Sequence, residues 1–229
     1  MTGPPETAKV QSNHKAKRPA LRGVSHAFAA CASVAAAFAL WRVSAGDRAE
    51  QISMLVFGAS MIALYTSSAT YHMGEWKGRI YRVFRRLDHA MIFVLIAGTY
   101  TPFCFNLLEG TERLVTLVLV WGLAILGVGI KFFFPFIPRW VSVALYMATG
   151  WLAVLKAHDF SKVLALGGVL LVMAGGVAYT VGAIVYARQR PNPCPRIFGY
   201  HEVFHLFVIA GTLTHFLAVY YFVAPLTRA

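Results

Sequence analysis

LVTLVLVWGLAILGVGIKFFF, from Leu114 to Phe134, is a run of 21 residues whose one charge, Lys131, sits near its end. An α-helix of that length rises about 30 Å, the thickness of a bilayer's hydrocarbon core. The stretch reads as a membrane-crossing helix, and six more spans of the same kind lie on either side of it. They are Val24–Trp41, Ile52–Tyr71 and Ala90–Leu108 before it, and Trp140–Leu155, Val163–Tyr186 and Tyr200–Ala224 after it. The expected fold is all-α, a polytopic bundle of seven transmembrane helices occupying 24–229. With 58% of its 229 residues hydrophobic and only 13% charged, the composition supports that class. The fifth span is the shortest: Arg139 and Lys156 confine it to 16 residues, the low end of what can cross, with snorkelling by those two side chains extending its reach.

The basic residues set the expected orientation, because Lys and Arg in short loops concentrate on the cytoplasmic side. With the N-terminus inside, the inner segments hold Lys9, Lys15, Lys17, Arg18 and Arg22; Lys77, Arg79, Arg82, Arg85 and Arg86; Lys131 and Arg139; and Arg188, Arg190 and Arg196. Those are 15 of the 21 basic residues, and acids partly balance the six outside. The net charge of +12 thus reads as a topology signal and an attraction to anionic lipid headgroups, with no case for nucleic acid. The expected location is a multi-pass position in the plasma membrane, or the inner membrane of a bacterium.

Residues 1–23 are polar and carry Pro4, Pro5 and Pro19, which predicts a disordered basic cytoplasmic tail. A cleaved leader ending near Ala45 is the lesser alternative, since removing the first span would spoil the charge asymmetry. In Met73–Leu87, Ile80, Val83, Phe84 and Leu87 recur at helical spacing among arginines, predicting a short helix lying on the inner leaflet. Cys31, Cys104 and Cys194 are odd in number and widely spaced, so no disulfide framework is expected. Cys194, among Pro191, Pro193 and Pro195, falls in a tight turn. Thr99, Tyr100, Thr101 and Pro102 read as residues that shape the third helix, and Gly122, Gly127, Gly129, Gly175, Gly176 and Gly182 as sites of close helix approach.

Chemistry concentrates at one end of the bundle. The second span ends on Ser68-Ala69-Thr70-Tyr71-His72, the third begins at Leu87-Asp88-His89, and the seventh begins at His201-Glu202-Val203-Phe204-His205. His201 and His205 are one helical turn apart and share a face. Three helix ends far apart in sequence therefore bring His72, Asp88, His201 and His205 to one depth. Three imidazoles with a position left open for water form a catalytic zinc arrangement, and a neighbouring carboxylate can orient or deprotonate that water. His14, His26 and His158 are isolated and read as boundary residues. His215 is ten residues beyond His205, about 15 Å along a helix, and is expected to make a packing hydrogen bond or a cavity contact. His89 points about 100° away from Asp88 and is expected to bond between helices.

On these residues the chain resembles the hemolysin III family, grouped with the progestin and adiponectin receptors. The resemblance rests on Ser68-x-x-x-His72, Leu87-Asp88-His89, Gly98-Thr99-Tyr100-Thr101-Pro102-Phe103, and His201-Glu202-x-x-His205 followed by Gly211 and His215-Phe216. It implies zinc held by His72, His201 and His205, Asp88 beside the zinc-activated water, and Ser68 near enough to polarise a substrate carbonyl. It further implies hydrolysis of a lipid amide or ester, as in the similar alkaline ceramidases, with the membrane lipid itself as substrate.

Two other readings remain at this stage. The pattern H-E-x-x-H is also that of zinc proteases, with Glu202 as base, but no Asp or Glu follows Glu202 to serve as a third ligand from a later helix. A haemolytic pore-former or a receptor would use the same zinc structurally, although no amphipathic pore-lining pattern is evident.

Overall fold

A computed structural model describes residues 19–134 and 136–228. Among them every regular element is helical, and seven helices are long and apolar enough to cross a membrane: Val24–Val43, Arg48–Met73, Gly78–Leu107, Gly110–Phe133, Arg139–Val163, Leu166–Arg188 and Tyr200–Leu226. We refer to them as the first to seventh spans. Their connections are short, so successive spans run antiparallel. The first packs on the second, the second on the third, the third on the fourth and the sixth on the seventh, while the first also closes against the seventh. The second and third spans form the centre, where Met54, Phe57, Met61 and Leu64 meet Phe93, Leu95 and Ala97 in the buried core. Large apolar side chains of the outer helices, such as Phe28, Phe38, Ile125 and Leu126, face outward, as a lipid solvent permits.

Local chemistry explains several boundaries. Asp47 precedes the second span and its carboxylate accepts from the backbone N–H groups of Ala49 (2.7 Å) and Glu50 (3.2 Å), an N-cap that satisfies two otherwise orphaned donors. The third span starts at Gly78 and runs 30 residues without interruption. The short helix expected on the leaflet over Met73–Leu87 is therefore its first turns. Phe84 stacks on Trp76 at 4.4 Å, and the Tyr71 hydroxyl donates to that of Tyr81 at 3.1 Å. Phe84 thus packs on Trp76 just beyond the second span, while Ile80 and Val83 stay 55% and 39% exposed.

The fifth span, expected to end at Leu155, reaches Val163 by breaking. An α-helix over Arg139–Trp151 gives way to a 3-10 turn over Leu152–Lys156 and resumes over Ala157–Val163. Tyr100 of the third span causes the break. Its hydroxyl donates to the Gly150 carbonyl (2.7 Å) and accepts from the Ala153 N–H (2.5 Å), so a side chain occupies the place of helical backbone pairing. Thr99 and Thr101 do act on their own helix, donating to the Leu95 and Ala97 carbonyls at 2.8 Å each. Tyr100→Phe leaves a buried donor and acceptor unmet, and about 1–3 kcal/mol of stability is expected to be lost. Thermal unfolding in detergent checks this; an unchanged midpoint would mean that the fifth helix simply closes its ladder.

Of the glycines expected at helix contacts, three are there. A Cβ on Gly127 would lie 2.6 Å from the Phe93 ring, one on Gly182 2.9 Å from Phe207, and one on Gly175 would run into the His215 ring. Gly122, Gly129 and Gly176 meet nothing within 4 Å and are no contact sites.

Candidate metal centre

His72 closes the second span, while His201 and His205 stand one turn apart at the start of the seventh. One ligand nitrogen from each of the three lies within 4.8 Å of the others. The Nε2 atoms of His72 and His201 are 3.0 Å apart, a separation at which two imidazoles either share a proton or direct two lone pairs at one cation. Asp88, at the start of the third span, brings Oδ2 to 3.6 Å from His72 Nε2 and 3.7 Å from His89 Nδ1. All four residues expected to converge from the sequence are together, and Ser68 hydrogen-bonds Asp88 behind them.

The donor set suits a zinc ion. It consists of three imidazoles, largely buried, with a carboxylate alongside. His205 Nδ1 is a buried nitrogen with no hydrogen-bond partner among the described residues. Such an orphan is costly in a purely structural core.

The backbone around the site is held by devices of its own. Glu202 accepts from the Gly199 N–H at 2.6 Å and from Arg22 Nε at 2.8 Å, so it caps the seventh span while neutralising a cation. The carboxylate of the H-E-x-x-H pattern is thus spent on the helix start and does not line the adjoining cavity. Of the segment expected to be a disordered tail, 1–18 and His14 lie outside the described residues. Residues 19–23 form a turn against the loop before the seventh span: Ala20 and Leu21 donate to the Arg196 and Ile197 carbonyls, each at 3.1 Å. Gly23 then adopts φ +88°, where a Cβ would stand 2.9 Å from the Cβ of His72. Only glycine lets the chain pass that close in that conformation.

This turn brings in a residue that reasoning from sequence left out. His26 is buried, places Nδ1 2.8 Å from Ser68 Oγ, and stacks on the His205 ring at 3.7 Å with an 11° tilt. The one available signal was its depth, two residues into the first span and level with the other histidines. Nothing in sequence spacing links the first span to the seventh. His89, expected to bond between helices, instead places its ring Nδ1 2.6 Å from the Arg85 carbonyl of its own helix. Only its backbone carbonyl reaches another span, accepting from the Tyr146 hydroxyl at 2.9 Å. His215 lines the cavity, one of the two roles expected of it, but its ring bonds to the Gly211 carbonyl of its own helix (2.8 Å) and not between helices. His158 is exposed. The three cysteines are free, as expected.

A cavity of about 230 Å³ begins at Ser68, Asp88, His201 and His205 and extends past Tyr100 to Phe160, Leu164 and His215. Its walls are chiefly apolar side chains. Trp151, Val154 and Met173 line it and are also 42%, 52% and 50% exposed. It therefore opens through the flank between the fifth and sixth spans. Trp151 Nε1 donates to Thr180 Oγ1 across that opening at 3.2 Å.

Comparison with known proteins agrees with this architecture. Residues 14–216 match the haemolysin-III related family. A hemolysin-3 homolog of Bacillus subtilis (strain 168) is 35% identical over 179 residues, covering 77% of this chain and 80% of that protein. Hemolysin-3 of Bacillus cereus is 34% identical over 182 residues, 79% of each chain. The monocyte to macrophage differentiation factor of Homo sapiens is 24% identical over 201 residues, 86% of this chain and 80% of the relative. With seven apolar helices and a family match over most of its length, the chain belongs to the haemolysin-III family and is an integral, multi-pass membrane protein.

Proposed function

We propose that the protein hydrolyses an amide or ester bond of a membrane lipid, with a zinc ion held by His72, His201 and His205. The observation that carries this reading is the position of the Asp88 carboxylate, 3.6 Å from His72 Nε2 at the inner end of an apolar cavity that opens sideways between two spans. A polar linkage could lie beside the carboxylate there while acyl chains occupy the apolar part and leave through the flank. When bound, zinc would supply a Lewis acid that polarises a carbonyl and brings the pKa of water towards about 7.

The remaining steps belong to side chains. Asp88, ionised, can only accept hydrogen bonds. The hydroxyl of Ser68 therefore donates to it, and His26 Nδ1, 2.8 Å away, donates to Ser68. This chain holds the carboxylate in one orientation, so Ser68 positions Asp88 and its hydroxyl is not free to polarise the substrate carbonyl. Asp88 takes the proton of the attacking water as oxygen adds to the carbonyl carbon. It returns that proton to the departing nitrogen or oxygen as the bond breaks, leaving a fatty acid and an amine or alcohol.

Fatty-acid release from a panel of N-acyl and O-acyl lipids by zinc-loaded protein tests the proposal. Asp88→Asn is expected to lose roughly 10²–10⁴ of the rate, the usual worth of a positioned proton acceptor, while still binding zinc. No turnover by either protein, with zinc bound to both, would sink it and leave the metal a structural role in a receptor or pore.

A further inference from the structure

A second cavity, of about 140 Å³, lies on the other side of His89 and Tyr186, which line both. It is enclosed by the start of the third span, the end of the fourth and the start of the fifth, and its walls carry Arg85, Arg86, Lys131 and Arg139 with the Ser142 hydroxyl. Among the described residues no carboxylate lines it. By the same kind of measure one water needs roughly 10–15 Å³, so the space exceeds a single solvent molecule several times over.

Lys131 is the informative member. It is 8% exposed, its Nζ lies 2.5 Å from Ser142 Oγ and 5.2 Å from the centre of the Tyr146 ring. Among the described residues no acid pairs with it. Arg139 similarly lies over the Tyr186 ring at 5.2 Å. A hydroxyl and an aromatic face compensate a cation only in part, and a buried charge without a counter-charge is costly. Four cations around one small space also repel one another. An anion placed between them would relieve both costs.

We infer that this cavity binds the phosphate group of an anionic membrane lipid. Guanidinium groups match phosphate oxygens two at a time, and lysine adds a compact point charge. The lipid origin follows from the rim: Phe134 and Ile137 line the cavity, and Phe134, Phe136 and Trp140 beside it are 64%, 93% and 70% exposed. Aromatic side chains displayed at the end of a transmembrane bundle lie at headgroup depth. Basic pockets between helices at that depth take lipid phosphates. The inference does not depend on the hydrolytic reading, because it asks only for binding.

The test is thermal unfolding of the full chain in non-ionic detergent, titrated separately with dioctanoyl phosphatidic acid, dioctanoyl phosphatidylcholine, and inorganic phosphate against chloride at matched ionic strength. Phosphatidic acid is expected to raise the midpoint saturably. Inorganic phosphate should do so only at higher concentration, and phosphatidylcholine least. Lys131→Met and, at a half-buried position less demanding of the fold, Arg86→Gln should each weaken the phosphatidic acid effect at least tenfold without changing zinc content. A shift undiminished in both variants would assign the effect to the other basic loops and overturn the site. An equal shift with phosphatidylcholine, or none with phosphatidic acid, would overturn it as well, and a response to inorganic phosphate alone would overturn the lipid as its source.

Discussion

Zinc at close to one per chain is the expected content of the detergent-purified wild type, falling to background in His72→Ala, His201→Ala and His205→Ala alike. Each substitution removes one of three nitrogens that lie within 4.8 Å of one another, and the imidazoles come from two different helices. Loss of a direct ligand should exceed the roughly 10–100-fold that loss of a supporting partner costs in metal affinity. Elemental analysis of the purified variants makes the measurement. His26→Ala and His215→Ala supply the contrast, since both remove a buried histidine of the same cavity yet neither belongs to the ligand set. Both are expected to keep their zinc at saturating metal. Zinc retained in the three ligand variants, or lost equally in all five, would contradict the cross-helix site.

The second large effect concerns Glu202 and Arg22. Their ion pair, 2.8 Å long with the carboxylate 2% exposed, ties residues before the first span to the start of the seventh. Glu202→Leu abandons the Gly199 N–H as well as the Arg22 guanidinium. Removing one partner of a buried pair typically costs about 3–5 kcal/mol, and a loss of that order is expected in detergent unfolding. Glu202→Gln retains an acceptor for Gly199 and should lose much less. Because the seventh span carries two of the three imidazoles, zinc affinity should fall together with stability in Glu202→Leu. If Glu202 were instead a reacting base, Glu202→Gln would abolish turnover without a change in unfolding midpoint, and that result would overturn the structural assignment.

Much of this site was legible along the chain, for a physical reason. Crossing a bilayer sets helix length and forces alternation of direction, so depth can be counted from the sequence. Once seven spans are placed, His72, Asp88, His201 and His205 must lie at one end. His26, two residues into the first span, lies at that depth as well, but depth carries no azimuth. The stacking of His26 on His205 depends on the first span closing against the seventh, and no residue spacing encodes that closure. Glu202 is the converse case. Its place between two histidines matches a catalytic pattern, whereas its hydrogen bonds are made backwards to Gly199 and across to Arg22.

The fifth span marks the boundary between the two kinds of information. Hydropathy found it and judged it short, because Arg139 and Lys156 confine the apolar run. Nothing within the segment announces the 3-10 turn that carries it on to Val163, since the side chain responsible, Tyr100, belongs to the third span. The sequence by itself determined the seven helices, their alternating directions and the convergence of three imidazoles and a carboxylate, because these follow from hydrophobic length and position along a helix. The tertiary structure alone decided which helix faces meet: the His26 stack, the broken fifth span, the sideways cavity and the basic pocket. Those depend on rotation and packing between helices, where lipid-facing and partner-facing apolar residues are chemically alike and leave no periodic signature to read.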